Sequence, residues 1–300
     1  MTKHVRTVAV VGTGDMGSAV GGALARAGYR VVTAGAGRSD LSRRLADEAG
    51  IEDVGTLDAV VREAQLVLSI VPPAAATTFA AEAVGAMRVA GTRPAFADCN
   101  AVAPETVRAI ARAIEATGAP FVDVGIVGRG PGVGRERTRF YVSGKARSAV
   151  LALGVPEIEL IDLGEDVGTA SAMKMAYAAL NKGIDALLAA VLLAAERLGV
   201  RETLMTELQF SQAEALERMQ ARVPFLGATA KRFAPEMAEI ARTYESVGVT
   251  PDFHRGAEWV YSLFAATPFA SETRATQPKR RSLDEALAAL TAALTRERRA

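Results

Sequence analysis

A doubly wound, parallel α/β sheet joined by one long helix to an all-α domain is the fold class predicted for this 300-residue sequence. Three observations predict it. Short β-rich runs alternate with helical patterns through the first half, the texture of parallel strands covered on both faces. A glycine-rich turn separates the first such run from the first helical pattern. Beyond Gly168 the strand signals stop, and helical patterns continue to Arg298. The expected boundaries are 1–165 for the α/β domain and 166–300 for the helical one.

The elements follow in order. VRTVAVVG reads as the first strand, MGSAVGGALARAG as a helix ending at Gly28, and YRVVTAG as the second strand. SDLSRRLADEAG opens on a Ser/Asp cap signal and closes on Gly50. AQLVLSIV is the third strand, stopped by Pro72 and Pro73, which cannot serve a central ladder. RPAFADCN, APFVDVGIV, RFYVSG and EIELIDL continue the strands, with VAPETVRAIARAIEATG as a helix among them. The first helix of the second domain runs from about Thr169 to Leu198, roughly 45 Å at about 1.5 Å per residue. Its LLAAVLLAA half is apolar around the whole circumference, so a partner chain is expected to help cover it. Residues 271–282, SETRATQPKRRS, read as a polar linker. LDEALAALTAALTRERR then forms a short amphipathic helix that docks on this chain or on a neighbour.

Composition removes several classes. Charges nearly balance at +1, and no basic patch or reading helix points to nucleic acid. The lone Cys99 cannot form an intramolecular disulfide, which fits a reducing cytosol. The apolar run near the N-terminus is too short for a secretory signal. The longest apolar run, residues 186–195, falls short of the ~20 residues of a bilayer span. A soluble cytoplasmic protein without a membrane partner is expected. His4 and His254 have no ligand spacing, so no metal site is expected.

VAVVGTGDMG carries the chemistry of the first half. Gly12, Gly14 and Gly17 give G-x-G-x-x-G between a strand and a helix. The first glycine allows a tight turn, the second lets backbone approach a pyrophosphate, and the third lets helix and strand pack closely. Thr13, Asp15 and Met16 complete this Rossmann-type loop, whose ligand is a dinucleotide. An NAD site usually ends its second strand with a carboxylate. Here that place holds Thr33, Ala34 or Gly35, and Arg38 and Ser39 follow. A guanidinium and a hydroxyl suit a 2′-phosphate, so NADP is expected over NAD. Asp40 opposes this reading, and Arg43 and Arg44 read equally as solvated helix charges.

GTGDMG, the IVPP turn after the third strand, DCNAV after the fourth, and Lys174 on the long helix occur in that order. Together they resemble the β-hydroxyacid dehydrogenase family, which includes 6-phosphogluconate and 3-hydroxyisobutyrate dehydrogenases. Further on, AKRFAPEMAEI (230–240) and FHRGAEWVY (253–261) look like a phosphogluconate-dehydrogenase-like branch. The resemblance implies a dinucleotide domain, an interdomain helix and an α-domain that forms a homodimer. It implies that Lys174 is the general acid/base, facing a crevice between the domains, and that Asn100 contacts nicotinamide and substrate. The residue-level reading of Asn100 is also that of a turn or cap asparagine. Val71 and Pro72 are expected beside the nicotinamide ribose.

Counting helix periods, Ser171, Ala178, Asn181 and Asp185 share the face of Lys174. The sequence departs from the family at two substrate positions. Ala178 stands where an asparagine is usual, with Asn181 one turn on as its substitute. Val127 stands where a serine begins the carboxylate grip, followed by Gly128 and Arg129. Arg129, Arg135, Arg137 and Arg139 read either as an anion site or as solvated loop charges. Cys99 reads as a buried small residue, His254 as packed or capped, and Arg232 with Glu236 as a helix ion pair. Glu236 stands where hydroxyacid dehydrogenases keep a cofactor-contacting lysine.

The expected activity is hydride transfer between NADP and a small, anionic hydroxy acid or carbonyl substrate. Lys174 would handle the proton, with Asn100 and Asn181 orienting the reacting groups. An imine reductase and a non-catalytic NADP-binding protein stand as alternatives.

Overall fold

The computed structural model describes residues 5–273 and 276–297. The chain divides into two compact units, Met1–Met175 and Ala176–Ala300. In chain order the first unit holds β1 (Thr7–Val11), α1 (Asp15–Arg26), β2 (Arg30–Thr33), α2 (Asp40–Glu48), β3 (Glu52–Asp53) and α3 (Leu57–Glu63). There follow β4 (Leu66–Ser69), α4 (Ala76–Ala90), β5 (Ala95–Asp98), α5 (Pro104–Glu115), β6 (Phe121–Val127), β7 (Thr138–Ser143), α6 (Ser148–Leu151) and β8 (Ile158–Asp162). The sequence reading gives no β3, α3 or α4. β3 has two residues, both exposed, and is too short to show an alternation.

The strands form one sheet in the order β3-β2-β1-β4-β5-β6-β7-β8. Its first six positions have the order of a dinucleotide-binding sheet. The all-parallel expectation needs one correction, because β7 runs antiparallel to β6 and β8 runs parallel to β7. A parallel return needs a long crossover, usually helical. Residues 128–137 supply none, and turn instead through Gly128, Gly132 and Gly134 at positive φ.

Side chains alternate between two cores. Ala9, Val11, Val67, Phe96 and Phe121 pack with α3, α4 and α5, while Val8, Val10, Leu68, Val124 and Phe140 pack with α1 and α6. Burial on both faces explains why these strands read as continuous apolar runs.

Helix α7 (Thr169–Leu198) begins in the first unit and continues in the second. By length and composition alone the whole helix could cross a bilayer, which the 186–195 run did not suggest, and half of its apolar window is buried inside the protein. The second unit adds α8 (Arg201–Ser211), α9 (Ala213–Arg222), α10 (Gly227–Ser246), α11 (Asp252–Ala265) and α12 (Leu283–Glu297). Tyr261 of α11 is fully buried and donates to the Lys182 carbonyl at 3.0 Å, which ties α11 to α7. Helix α12 buries Ala286, Leu287, Leu290 and Ala293 on this chain. The 271–282 segment is pinned at its end. Arg281 pairs with Glu272, donates to the Pro224 carbonyl at 3.0 Å and lies 3.7 Å over the Phe269 ring.

Candidate functional site

The carboxyl edge of the sheet gathers the expected site residues of the first unit. Gly12 follows β1, Val71 and Pro72 follow β4, Asn100 follows β5, and Ile126 lies near the end of β6. Open α/β sheets bind ligands outside this edge where the strand order reverses, here between β1 and β4.

Gly12 has φ 98°, and a Cβ there would stand 2.3 Å from the Ile70 carbonyl oxygen. A Cβ on Gly17 would stand 2.1 Å from the Gly12 oxygen. These approaches lock the turn against β4 and α1. At Gly14 the same test finds nothing within 4 Å, and no side chain caps the start of α1. Uncapped N–H groups at the positive end of a helix, reached over a bare glycine, fit a diphosphate. The Thr13 hydroxyl donates to the Ser42 carbonyl at 2.9 Å and fastens the loop to α2. Asp15 is exposed, and Met16 packs against the core.

Beyond β2, Ser39 caps α2 by accepting from the Ser42 N–H at 3.2 Å. Arg43 is held by Asp40 and by the Arg38 carbonyl. The Arg38 guanidinium makes no hydrogen bond or ion pair among the described residues. The sequence reading missed Asp53. Its Oδ1 accepts from the Gly35 and Gly55 N–H groups, each at 2.8 Å. Its Oδ2 stands 2.0 Å from where a Gly35 Cβ would be, so this carboxylate fills the place of a side chain just past β2.

Asn100 is 3% exposed. Its Oδ1 accepts from Val71 N–H at 2.7 Å, while Nδ2 donates to Ser69 Oγ at 2.9 Å and Asp98 Oδ2 at 2.8 Å. Both amide hydrogens are committed inside the protein. These bonds let Asn100 brace the Val71–Pro72 turn, because burial requires its polar atoms to find partners. Val71 is buried and Pro72 exposed.

Strand register brings together a row that the sequence reading missed. Ser69 pairs with Asp98, Asp98 with Asp123, and Asp123 with Ser143, all four at 0–1% exposure. Asp123 has the donors an anion needs: Gly168 N–H at 2.8 Å, Ser171 N–H at 3.1 Å, Ser171 Oγ at 2.7 Å and Ser143 Oγ at 3.1 Å. Burial raises its carboxyl against these four bonds. Asp98 has fewer donors. Burial raises it to about 7 against the two bonds from Asn100, and the Asp123 charge adds to the rise.

A pH dependence follows. Unfolded Asp98 loses its proton near 3.8, whereas the folded group keeps it to about 7. In that window the native state binds more protons, so stability falls as pH rises, on the order of 1 kcal/mol per pH unit. Asp98→Asn is expected to flatten this fall, as read from thermal unfolding between about pH 5 and 8. An unchanged slope would show that Asp98 is not its source.

Asp123 also holds the start of α7. The first N–H groups of a helix lack internal partners. Here Gly168 and Ser171 donate to Asp123, and Ala170 donates to Ser143 Oγ at 3.1 Å. Gly125 lets the helix lie against β6, since a Cβ there would be 2.6 Å from the Ala170 oxygen and 3.1 Å from the Lys174 Cβ. One turn on from Ser171, Lys174 is half-buried and its Nζ donates to the Ile126 carbonyl at 2.6 Å. The amine thus stands at the carboxyl end of β6, on the same sheet edge as the glycine loop.

Other candidates are placed as follows. Asn181 Oδ1 accepts from Arg218 at 3.0 Å, and Ala178 is buried. Val127 is buried, and Arg129 is exposed. Arg137 donates to the Ile158 carbonyl at 2.7 Å, and Arg139 lies 3.4 Å from Glu159. Burial, then the charges of Asp98 and Asp123, push the Cys99 thiol well above its usual range, which removes it as a nucleophile. His254 is buried against the Tyr244 ring at 4.4 Å, and burial lowers its pKa. His4 lies outside the described residues. Glu236, expected to pair with Arg232 along its own helix, is buried and pairs with Lys182. Among the described residues no group of three or more His, Cys, Asp or Glu could hold a metal ion.

Residues 7–153 match the family described as the NAD binding domain of 6-phosphogluconate dehydrogenase, and residues 195–264 match a domain of unknown function, DUF1932. A 28.5 kDa uncharacterized protein of Methanothermus fervidus, from a 7S RNA 5′ region, is 27% identical over 72% of this chain and 82% of its own. A conserved protein of unknown function, described as similar in structure to 3-hydroxyacid dehydrogenases, is 27% identical with a TM-score of 0.60 over 86% of this chain and 98% of its own. The Mycobacterium tuberculosis 3-hydroxyisobutyrate dehydrogenase with L-serine shares the fold, with a TM-score of 0.65 at 19% identity over 96% of this chain and 98% of its own.

Proposed function

We propose that this chain, whose residues 7–153 match the NAD binding domain of 6-phosphogluconate dehydrogenase and which is 27% identical to a protein similar in structure to 3-hydroxyacid dehydrogenases, is a β-hydroxyacid dehydrogenase in which NADP exchanges hydride with a small anionic hydroxy acid or carbonyl compound. The observation that carries this reading is the Lys174 amine tethered to Ile126 at the sheet edge that also bears the Gly12–Gly17 loop. In this reading Lys174 gives a proton to, or takes it from, the oxygen on the carbon that exchanges hydride. The loop and the α1 N-terminus hold the diphosphate through backbone N–H groups. Val71 and Pro72 form the floor beside the ribose, and Asn100 fixes their turn. Asn181 orients its neighbours in the helical unit. The test is a screen of hydroxy acids, keto acids and cyclic imines with NADPH and NADP⁺. Turnover of cyclic imines alone would reassign the protein as an imine reductase. Tight NADPH binding with no turnover would make it a non-catalytic NADP-binding protein.

NADP rests on Arg38, a guanidinium without a partner among the described residues, two residues past the Ala36 turn. Asp53 favours the second reading, NAD, since a carboxylate beside β2 suits a ribose hydroxyl and repels a 2′-phosphate. Arg38→Ala is expected to weaken NADPH by roughly tenfold and leave NADH unchanged, measured by fluorescence titration. Equal losses for both would withdraw the preference for NADP.

The helical unit forms a homodimer in this reading, within the cytoplasm. Tyr177, Leu180, Leu187 and Leu198 of α7 are 43%, 66%, 61% and 75% exposed. With Ile184, Val191 and Ala194 they repeat at three- and four-residue steps, a packing stripe of the kind used between helices. Leu180→Glu with Leu187→Glu is expected to give a folded monomer by light scattering. A wild-type monomer at micromolar concentration would remove the dimer.

A further inference from the structure

Asp185 on α7 is 1% exposed, yet it accepts from two guanidiniums of α9. Arg218 Nε reaches Oδ1 at 2.9 Å, and Arg222 reaches Oδ2 through Nε at 3.2 Å and Nη2 at 3.0 Å. Arg218 Nη2 also donates to the carbonyl and side-chain oxygens of Asn181, at 2.9 and 3.0 Å.

One carboxylate neutralises one of the two arginines, so the group keeps a formal charge of +1. Among the described residues neither arginine has a second acidic partner. Glu214, one turn before Arg218 on α9, is exposed and makes no ion pair there. The side chains of Arg218 and Arg222 are 34% and 52% exposed. Their inner edges are locked, and neither Nη1 has a partner among the described residues. If Asp185 served only to pin α9 on α7, one arginine would complete the pair. A buried carboxylate is costly to keep unless its partners make it worthwhile. Here it aligns two planar forks, and guanidiniums held in place lose little freedom when they bind a carboxylate or phosphate.

We propose that Arg218 and Arg222, aligned by Asp185 and Asn181, form an oxyanion site of the helical unit. Its occupant is a small anion that bears a carboxylate or a phosphate.

The site is tested on full-length wild-type protein without cofactor, by phenylglyoxal modification read residue by residue with mass spectrometry. Inorganic phosphate and malonate are added in separate arms, which distinguish a phosphate ester from a carboxylate as the natural group. The expected result is that at least one anion slows modification of Arg218 and Arg222 by roughly fivefold, while exposed Arg62 and Arg88 are unaffected. Equal rates with and without both anions, or equal slowing at all four arginines, would overturn the site. In Arg222→Gln the anions are expected to lose most of their protection of Arg218, with the rates at Arg62 and Arg88 unchanged. Full protection of Arg218 in that variant would overturn the pairing of the two arginines.

Discussion

Lys174→Ala is expected to lower turnover by about 100-fold or more while NADPH affinity stays within about twofold. The lysine is half-buried and donates to the Ile126 carbonyl at 2.6 Å. Truncation takes this donor from the carbonyl of buried Ile126, so the stability cost is about 1–3 kcal/mol. The fold and the glycine loop persist, because neither Gly12 nor Gly17 depends on the amine. Lost proton transfer is then separable from lost structure. Lys174→Arg should restore stability without restoring turnover, because a guanidinium does not give up its proton near neutral pH. Added methylamine should partly rescue the alanine variant by supplying the missing acid. The measurement is kcat beside a fluorescence titration of NADPH. Wild-type turnover in Lys174→Ala would take the side chain out of the mechanism and leave the nucleotide site standing.

Asp123→Ala is expected to destabilise the first unit by at least about 3 kcal/mol, since an unsatisfied buried donor costs about 1–3 kcal/mol. Gly168 N–H, Ser171 N–H, Ser171 Oγ and Ser143 Oγ all lose their acceptor at once. Water reaches none of them easily, because Asp123 has no exposed surface. The loss would be a large fraction of a stability that is typically only about 5–15 kcal/mol. Ser171→Ala removes one donor and the carboxylate keeps three, so about 1 kcal/mol is expected. Urea unfolding of both variants gives the comparison. If Asp123→Ala unfolds at the wild-type urea midpoint, the sheet is not what holds the start of α7.

Local rules account for much of what was legible. Gly12 was readable as a tight turn because its φ of 98° suits glycine and few other residues. Helix α7 was readable from Thr169 to Leu198 because the residues between Gly168 and Gly199 keep one helical pattern. The antiparallel β7 was not, since strand direction depends on how the chain returns and not on the strand's own residues. Asn100 was readable as a site residue because its place at the end of β5 is a ligand-binding place. Only the tertiary structure shows its amide bonded to Ser69, Asp98 and Val71.

The sequence by itself determined the dinucleotide loop, the strand series and the long helix, each a consequence of backbone preference and side-chain period within a few neighbours. Tertiary structure alone decided where the lysine amine stands, because its partner Ile126 is 48 residues away. It also set Asp53 against Gly35 and aligned Ser69, Asp98, Asp123 and Ser143 in one buried row. Those neighbours arise from register between strands. Register is set when whole faces are buried together, so no short stretch of sequence carries it.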